Sequence, residues 1–204
     1  MVERQLRRRG IGDERVLEAM REVPRDAFVP ESQRRRSYAD SALPIGNGQT
    51  ISQPWIVAAI CQALELTGSE TVLEIGTGSG YSAAVLARLG SEVVTIERHP
   101  ELADAARGLL AELGFGNVEV LVADGSRGLP ERAPFAAIAV HATAPSPPKA
   151  LIDQLAPDGR LVVPIASRSA DMLTQLRRSG EDLVSELIGP CRFVPLIGEE
   201  GFED

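Results

Sequence analysis

Residues 71–97 read TVLEIGTGSGYSAAVLARLGSEVVTIE and contain the pattern that decides the fold. An apolar run of strand length, Thr71 to Ile75, is followed by a turn with three glycines in five residues and then by an Ala/Leu-rich stretch. A second apolar run ends at Glu97. A short apolar strand, a glycine-rich turn, a helix and another strand are typical of the βαβ unit of a parallel sheet. The segment therefore predicts an α/β fold.

The same alternation of strand and helix continues on both sides of this segment. Apolar periodicity predicts helices over residues 13–20, 55–66, 79–89, 100–113 and 148–155, further strands over 118–122, 135–140 and 160–165, and a hairpin from 172–178 and 183–188. We expect a single domain, residues 1–204, with a doubly wound, mostly parallel, Rossmann-like sheet in residues 55–204. Residues 1–54 are expected to add an N-terminal helical region and, over 37–54, an irregular loop that carries function.

Composition and charge exclude several classes of protein. The 204 residues are 44% hydrophobic and 25% charged, close to the globular average, and no apolar run approaches the roughly 20 residues of a membrane span. A net charge of −8 weighs against a nucleic-acid binder that works through a positive field. The arginine blocks 7–9 and 34–36 are typical of solvated faces, and the alternative is a lip that attracts acidic substrates.

The N-terminal sequence predicts the compartment, and the spacing of the cysteines argues against a metal site. The N-terminus has no apolar segment of a secretory signal, so we expect a cytoplasmic protein. Cys61 and Cys191 lie far apart and belong to no CxxC motif, so we expect two small buried side chains rather than a zinc site or a disulfide. No metal, nucleic-acid partner or membrane is predicted, and the expected state is a monomer.

The turns after the predicted strands carry the candidate ligand-binding residues, because α/β sheets bind ligands beyond the carboxyl ends of their strands. Gly76, Gly78 and Gly80 form G-x-G-x-G, whereas a dinucleotide fingerprint reads G-x-G-x-x-G and would need a glycine at Tyr81. Glu97, seventeen residues after Gly80, is placed to accept hydrogen bonds from ribose hydroxyls. The alternative readings are a plain strand-to-helix turn and a surface glutamate.

Asp124 ends the third strand and is placed to accept a hydrogen bond from an exocyclic adenine amine, although an Asp-Gly turn is a strong alternative. Together, the glycine turn, Glu97 and Asp124 predict a site for a nucleoside that lacks a pyrophosphate.

The chain resembles a known enzyme family. As a set, residues 74–80, Glu97 and Asp124 resemble the cofactor-binding pattern of the S-adenosylmethionine-dependent methyltransferases. Residues 42–54, ALPIGNGQTISQP, closely resemble the signature of the protein-L-isoaspartate O-methyltransferases. Further matches to that family occur in order over residues 20–25, 28–30, 72–84, 95–98, 123–125, 159–164 and 192–196. The resemblance therefore covers almost the whole chain.

This resemblance implies a reaction and a set of site residues. The family transfers a methyl group from S-adenosylmethionine to the free α-carboxylate of L-isoaspartyl residues in damaged proteins and peptides, leaving S-adenosylhomocysteine. The ester collapses to a succinimide, part of which reopens to normal aspartate, so the function implied is cytoplasmic protein repair without a metal. The resemblance places cofactor binding at Thr50, Ile51, Ser52, Gly76, Thr77, Gly78, Ser79, Gly80, Glu97, Arg98, Asp124 and Gly125, and substrate binding at Ser52, Ala142 and Thr143.

The residues agree with this chemistry. A carboxylate is already ionised at pH 7, so its methylation needs no general base, and the chain shows no catalytic His or Cys arrangement. The resemblance makes Ser52 the active-site serine, and its hydroxyl is suited to hold one carboxylate oxygen while the other attacks. The alternative is structural, because Ser52-Gln53-Pro54 is also typical of a helix N-cap followed by proline in the first turn.

Four positions depart from the family pattern or carry other readings. Ala136 stands where an acid is usual, and His141 begins a segment that is commonly a run of Thr, Ala and Pro. His141 is interpreted as a non-catalytic groove residue or a surface histidine, His99 as a surface residue at a helix start, and Trp55 as a buried aromatic wall. These differences bear on peptide preference more than on reaction type.

Two other functions stay open from the sequence. One is a methyltransferase of the same fold that acts on a small molecule or another protein carboxylate, which the match over residues 46–54 disfavours. The other is a cofactor-binding regulator without catalysis, which the intact glycine turn, Glu97 and Ser52 disfavour.

Overall fold

The predicted alternation of strands and helices forms one large sheet in the computed structural model, which describes residues 1–180 and 182–203. The strands are β1 (Leu43–Gly46), β2 (Gln49–Ile51), β3 (Thr71–Ile75), β4 (Glu92–Glu97), β5 (Val118–Val122), β6 (Phe135–Val140), β7 (Leu155–Ile165), β8 (Asp171–Ser179) and β9 (Asp182–Cys191). The α-helices are α1 (Glu14–Glu22), α2 (Pro54–Leu64), α3 (Tyr81–Ala87), α4 (Pro100–Glu112) and α5 (Lys149–Ile152). Short helical turns cover Val2–Leu6, Arg7–Arg9, Arg25–Phe28 and Glu31–Arg36.

The order of the strands creates a cleft at the centre of the sheet. Among the described residues, seven strands lie in the order β5-β4-β3-β6-β7-β8-β9. Strands β5, β4, β3, β6 and β7 are parallel, β8 is antiparallel to β7, and β9 is antiparallel to β8. The chain leaves β3 toward β4 and β5 and later returns to the other side of β3 as β6. Ligands bind at such a switch point, beyond the carboxyl ends of the central strands.

The sheet is buried on both faces, as continuous apolar strands predict. Val72 of β3 belongs to a core shared with α1, α2 and α3, whereas its neighbour Leu73 belongs to a second core on the other face with α5. In β6, Ala137 and Ala139 face the first core, while Ile138 and Val140 face the second. This alternation fixes the register of the strands and therefore the height at which each strand ends.

The predicted fold class is confirmed: an α/β sheet, mostly parallel, with an antiparallel C-terminal region. The helix predicted over 13–20 spans Glu14–Glu22, and Asp13 is its N-cap, because the Asp13 carboxylate accepts hydrogen bonds from the amides of Arg15 and Val16. The helix predicted over 79–89 is shorter and begins at Tyr81, since Gly80 adopts a left-handed conformation. The helix predicted over 148–155 is reduced to α5, and β7 begins five residues before the predicted position.

The prediction of an irregular loop over residues 37–54 is wrong in its second half. Strands β1 and β2 pair antiparallel there, with Leu43 opposite Ile51. Asn47 and Gly48 make the connecting turn, both with positive φ. Asn-Gly is the sequence favoured in two-residue hairpin turns, so a local signal for this hairpin was present. The hairpin carries Thr50 and Ile51 toward the cleft.

Both cysteines are free, but only one is as buried as expected. Cys61 is buried, whereas Cys191 is half-buried, and burial raises the pKa of its thiol to about 11. Within residues 1–180 and 182–203, no group of three or more His, Cys, Asp or Glu side chains could hold a metal ion. No helix in that part of the chain has the length and apolar character needed to cross a membrane.

Candidate functional site

A cavity of about 700 Å³ opens at the carboxyl ends of β3, β4 and β6. Its walls come from the glycine turn after β3, the ends of β4 and β6, the hairpin β1–β2, and residues 190–197 at and beyond the end of β9. The predicted site residues that line it are Thr50, Ile51, Ser52, Gly76, Thr77, Gly78, Ser79, Glu97, Arg98, Gly125 and Ala142. Gly80, Asp124 and Thr143 lie beside it without lining it.

The glycine turn has two separate tasks. Gly76 and Gly78 line the cavity with φ of 92° and 53°, so the backbone approaches the cavity where a side chain is strained. Gly80 has a φ of 86°, and a Cβ there would meet Leu110 and Ala106 of α4 at 3.2–3.3 Å. The third glycine therefore lets α3 begin in close contact with α4 rather than facing the cavity.

Glu97 is held in one orientation by the backbone around it. The side chain is buried, Oε2 accepts a hydrogen bond from the Gly78 amide at 2.8 Å, and Oε1 accepts one from the His99 amide at 3.0 Å. Each carboxylate oxygen has a second lone pair, so both remain able to accept a further hydrogen bond. The carboxylate is thus a preorganised acceptor pair on the cavity wall.

Asp124 holds the C-terminal segment. Its Oδ1 accepts hydrogen bonds from the Ser126 amide and hydroxyl at 2.9 and 2.7 Å, and its Oδ2 accepts one from the Glu199 amide at 2.8 Å. Partial burial acts to raise the pKa of Asp124, but these hydrogen bonds lower it below its usual value. Gly125, the next residue, lines the cavity, so Asp124 connects the cavity edge to residues 198–200.

A buried polar cluster lies at the floor of the cavity. Glu74, at the end of β3, has no solvent exposure, and its Oε2 accepts a hydrogen bond from Thr95 Oγ1 at 2.6 Å. His141 Nε2 lies 3.3 Å from Glu74 Oε1 and 2.7 Å from Ser82 Oγ. Its side chain is only 7% exposed and lines the cavity, so the interpretation of His141 as a surface residue is wrong and the groove position is confirmed.

Ser52 is fixed by its backbone and leaves its hydroxyl available. Within the described chain the Ser52 hydroxyl makes no hydrogen bond, and the residue lines the cavity. The alternative that Ser52 caps α2 is wrong, because Gln53 occupies the N-cap position, and Pro54 begins the helix one residue before the predicted start. The Ser52 carbonyl accepts a hydrogen bond from Arg25 Nη2 at 2.7 Å.

Arg25 supports this part of the site from beneath. It has no solvent exposure, its Nε donates to the Ser37 carbonyl at 2.7 Å, and its guanidinium carbon lies 4.7 Å from the centre of the Tyr81 ring. Burial lowers the pKa of Arg25, and Tyr81 acts to raise it. Among the described residues no carboxylate pairs with Arg25, so two carbonyls and an aromatic face hold the cation.

Trp55 and His99, which also line the cavity, are placed differently from what the sequence predicted. Trp55 is half-buried rather than buried, and its indole N–H donates to the Arg9 carbonyl at 3.2 Å. His99 is half-buried and lines the cavity, with its Nε2 3.5 Å from Gln49 Nε2. Phe193, which the sequence did not single out as a site residue, lines the cavity with its ring centroid 6.3 Å from that of His141.

Sequence reasoning missed the residues that support the site. Arg25 and Phe193 belong to segments that match the family, but no local signal indicates what either side chain contacts. The cluster of Glu74, Ser82 and His141 combines residues from three elements, so only packing brings them together.

Comparisons with known proteins identify close relatives. Residues 1–201 match the family profile of protein-L-isoaspartate(D-aspartate) O-methyltransferase (PCMT). The chain is 56% identical over 204 residues to protein-L-isoaspartate O-methyltransferase 1 of Rhodopseudomonas palustris strain HaA2, covering 99% of this chain and 83% of the relative. It is 52% identical to the protein-L-isoaspartate O-methyltransferase of Methanoculleus marisnigri, covering 100% and 92%.

Solved structures agree with this result. A protein-L-isoaspartate O-methyltransferase superposes with a TM-score of 0.86 at 30% identity, over 98% of this chain and 67% of the other. A Plasmodium falciparum chain assigned to the beta-aspartate methyltransferases, solved in complex with S-adenosyl-L-homocysteine, shares the fold with a TM-score of 0.81 at 24% identity, over 95% of each chain.

The buried Arg25 provides a first prediction. In Arg25→Lys the charge remains, but one ammonium group cannot span both carbonyls and lie flat on Tyr81. We expect a loss of about 2–4 kcal/mol in the free energy of unfolding and faster amide hydrogen exchange over residues 49–53. The control Arg35→Lys changes an exposed arginine and is expected to alter neither quantity. Equal stability and exchange in the two variants would contradict the assigned role.

The polar cluster provides a second prediction. His141→Ala removes the imidazole 3.3 Å from Glu74 Oε1 and leaves, among the described residues, Thr95 as the partner of this buried carboxylate, so we expect a loss of about 3 kcal/mol, measured by urea unfolding. His99→Ala, at a half-buried histidine whose Nε2 lies 3.5 Å from Gln49 Nε2, is the matched control with an expected loss under about 1 kcal/mol. A loss in His141→Ala no larger than in the control would show that the cluster contributes nothing to stability.

Proposed function

The chain belongs to the protein-L-isoaspartate(D-aspartate) O-methyltransferase family, and we propose that the cavity at the carboxyl ends of β3, β4 and β6 is its active site. The protein is therefore a repair enzyme that methylates isoaspartyl residues of damaged proteins, with S-adenosylmethionine as methyl donor. The observation that carries the proposal is that the glycine turn and Glu97 line the same cavity as Ser52.

The residues of the cavity fit S-adenosylmethionine. A volume of about 700 Å³ lies within the range of cofactor sites. Glu97 presents two oriented oxygens for a ribose diol, and Gly76 and Gly78 allow close approach of the backbone. Glu74 Oε1 is fully buried and accepts no hydrogen bond within the described chain, which leaves an acceptor near the glycine turn.

The cofactor contacts that we propose follow the family resemblance. We place the cofactor against Thr50, Ile51, Ser52, Gly76, Thr77, Gly78, Ser79, Glu97, Arg98 and Gly125, which all line the cavity. Gly80 acts by placing α3, and Asp124 acts by holding residues 198–200 at the adenine end while keeping its carboxylate close to that end. These roles agree with the close packing at Gly80 and with the hydrogen bonds that Asp124 accepts.

The reaction requires the protein to align the methyl donor with the carboxylate rather than to transfer a proton. S-adenosylmethionine supplies an electrophilic methyl group on a positive sulfonium centre. The isoaspartyl carboxylate is already ionised at neutral pH, so the residues need only orient it and exclude water. We assign orientation to Ser52, whose hydroxyl makes no other hydrogen bond in the described part of the chain and is free to donate to one carboxylate oxygen.

The substrate wall follows β6. Ala142 lines the cavity and is proposed to contact the substrate directly. Thr143 is buried, its Oγ1 donates to Asp171 Oδ2 at 2.8 Å, and its amide donates to the Val194 carbonyl at 2.8 Å. We propose that Thr143 serves substrate binding by fixing the segment that carries Phe193.

Two coarser features complete the proposal. One copy of the chain supplies every proposed site residue, which supports a monomer as the working unit. The two free cysteines suit a reducing compartment, which supports the cytoplasm as the place of action.

A matched pair of peptides tests the function and the role of Ser52. The pure protein, labelled S-adenosylmethionine and two peptides that differ only in an isoaspartyl or aspartyl residue should yield base-labile methyl on the isoaspartyl peptide alone. In Ser52→Ala we expect kcat to fall about 10–100-fold, since one donor to a reacting oxygen is worth at least that order, with an unchanged melting temperature.

The control for Ser52→Ala is Ser32→Ala, an exposed serine in the same N-terminal region. Equal labelling of both peptides, or none, contradicts the function. Unchanged kcat in Ser52→Ala contradicts only the role of the serine.

Cofactor binding provides a separate prediction. In Glu97→Gln, an amide group replaces one of two acceptors and faces a backbone N–H, so we expect the Kd of S-adenosylhomocysteine to rise about 10–100-fold. Calorimetry without peptide measures this binding, and Glu101→Gln, an exposed acid in the first turn of α4, is the matched control. Equal Kd values in the wild type and Glu97→Gln would show that Glu97 does not contribute to cofactor binding.

A further inference from the structure

The charge of the cavity has the opposite sign to that of the protein. The whole chain carries a net charge of −8. Among the described residues, however, the charged side chains that line the cavity are three arginines and one glutamate: Arg9, Arg98, Arg192 and Glu97. The glutamate is buried and bonded to two backbone amides, so it offers little negative charge to an approaching substrate. The cavity therefore presents a cationic surface within an acidic protein.

Arg9 is fixed at one side of the mouth. Its guanidinium carbon lies 4.7 Å from the centre of the Trp55 ring, and its Nη1 lies 2.5 Å from Asp40 Oδ2. Trp55 lies three residues after Ser52 and returns a hydrogen bond to the Arg9 carbonyl. The cation is thus held at the wall of the cavity that Ser52 also lines, with its side chain still 42% exposed.

Within the described residues, Arg9 alone among the six arginines of the two N-terminal blocks lines the cavity. Arg7 pairs with Glu3 and Glu14, and Arg34 pairs with Glu31, as Arg9 pairs with Asp40, but neither Arg7 nor Arg34 lines the cavity. Most arginines of both blocks therefore lie on solvated faces, as expected. The alternative, a lip that attracts acidic substrates, is left with Arg9.

Arg192 stands on a second wall of the same cavity. It is exposed and, in the described part of the chain, has no ion-pair or hydrogen-bond partner. Its neighbours Cys191 and Phe193 also line the cavity, and the Phe193 ring faces that of His141, next to the proposed substrate wall at Ala142. Arg9 and Arg192 thus line the same cavity from two segments that are far apart in sequence.

We propose that Arg9 and Arg192 form a cationic rim that selects peptide substrates with acidic residues beside the damaged residue. The inference rests on the proposed function and adds a substrate preference to it. Charges at the edge of a site act on the encounter with the substrate and on its weak binding. We therefore expect Arg9 and Arg192 to affect KM and the dependence of KM on ionic strength. An exposed ion pair is worth about 0.2–1 kcal/mol, which corresponds to a factor of about 1.4–5 for each arginine.

Three isoaspartyl peptides of equal length, with acidic, neutral or basic flanking residues, test this preference. For the wild type at low salt, kcat/KM should fall in the order acidic, neutral, basic, and the differences should shrink at about 0.5 M salt, where the screening length is only a few ångströms. Arg9→Gln and Arg192→Gln should each lower the ratio of acidic to neutral kcat/KM by a factor of about 1.4–5 through KM. The double variant should lower that ratio by the product of the two factors.

Two further variants separate charge from packing and from net charge. Arg9→Lys keeps the positive charge and should keep the acidic preference, even where lost stacking on Trp55 lowers stability. Arg8→Gln removes an exposed neighbouring charge that does not line the cavity, and its ratio should equal that of the wild type.

The inference is overturned if the wild type methylates the three peptides equally. It is also overturned if Arg8→Gln lowers the ratio as much as Arg9→Gln does. Failure of the wild type to methylate even the neutral isoaspartyl peptide would instead contradict the proposed function.

Discussion

The interaction on which the active site depends is the contact of the buried Arg25 guanidinium with two carbonyls and one aromatic ring. Arg25 bonds the carbonyls of Ser37 and Ser52 and lies over Tyr81, the first residue of α3. One side chain thereby joins the N-terminal region, the loop that carries Ser52 and the helix that follows the glycine turn. A buried cation held by carbonyls has few alternative arrangements, because moving it away leaves a charge without partners.

The sheet supplies the other half of the site through its topology. Strands β3, β4 and β6 end side by side, so Glu74, Glu97 and His141 come to the same edge of the sheet although they are 23 to 67 residues apart in the chain. The two glutamates differ in what surrounds them. Glu97 is oriented by backbone amides, whereas Glu74 is buried beside Thr95 and His141. The carboxylate of Glu97 thus faces the cavity, whereas that of Glu74 forms part of its floor.

Much of the fold was predictable, because burial on both faces of a parallel sheet leaves apolar runs in the sequence. The strands from Thr71 and from Val118 have the predicted bounds. The hairpin of β1 and β2 was missed because three- and four-residue strands have too little periodicity, although Asn47-Gly48 signalled its turn. The alternative of Ser52 as the N-cap of α2 was wrong by one residue, since a serine before Gln-Pro resembles an N-cap whichever residue takes that position.

The sequence by itself determined the order of strands and helices, the residues at the carboxyl ends of the strands and the resemblance to the family. All of these are encoded in short, contiguous patterns. Only the tertiary structure decided that Arg25 holds Ser52, that His141 lies between Glu74 and Ser82, and that Arg9 and Arg192 border one cavity. The physical reason is that burial, pairing and local charge arise from packing between residues distant in the chain, and no local period records which distant residues meet.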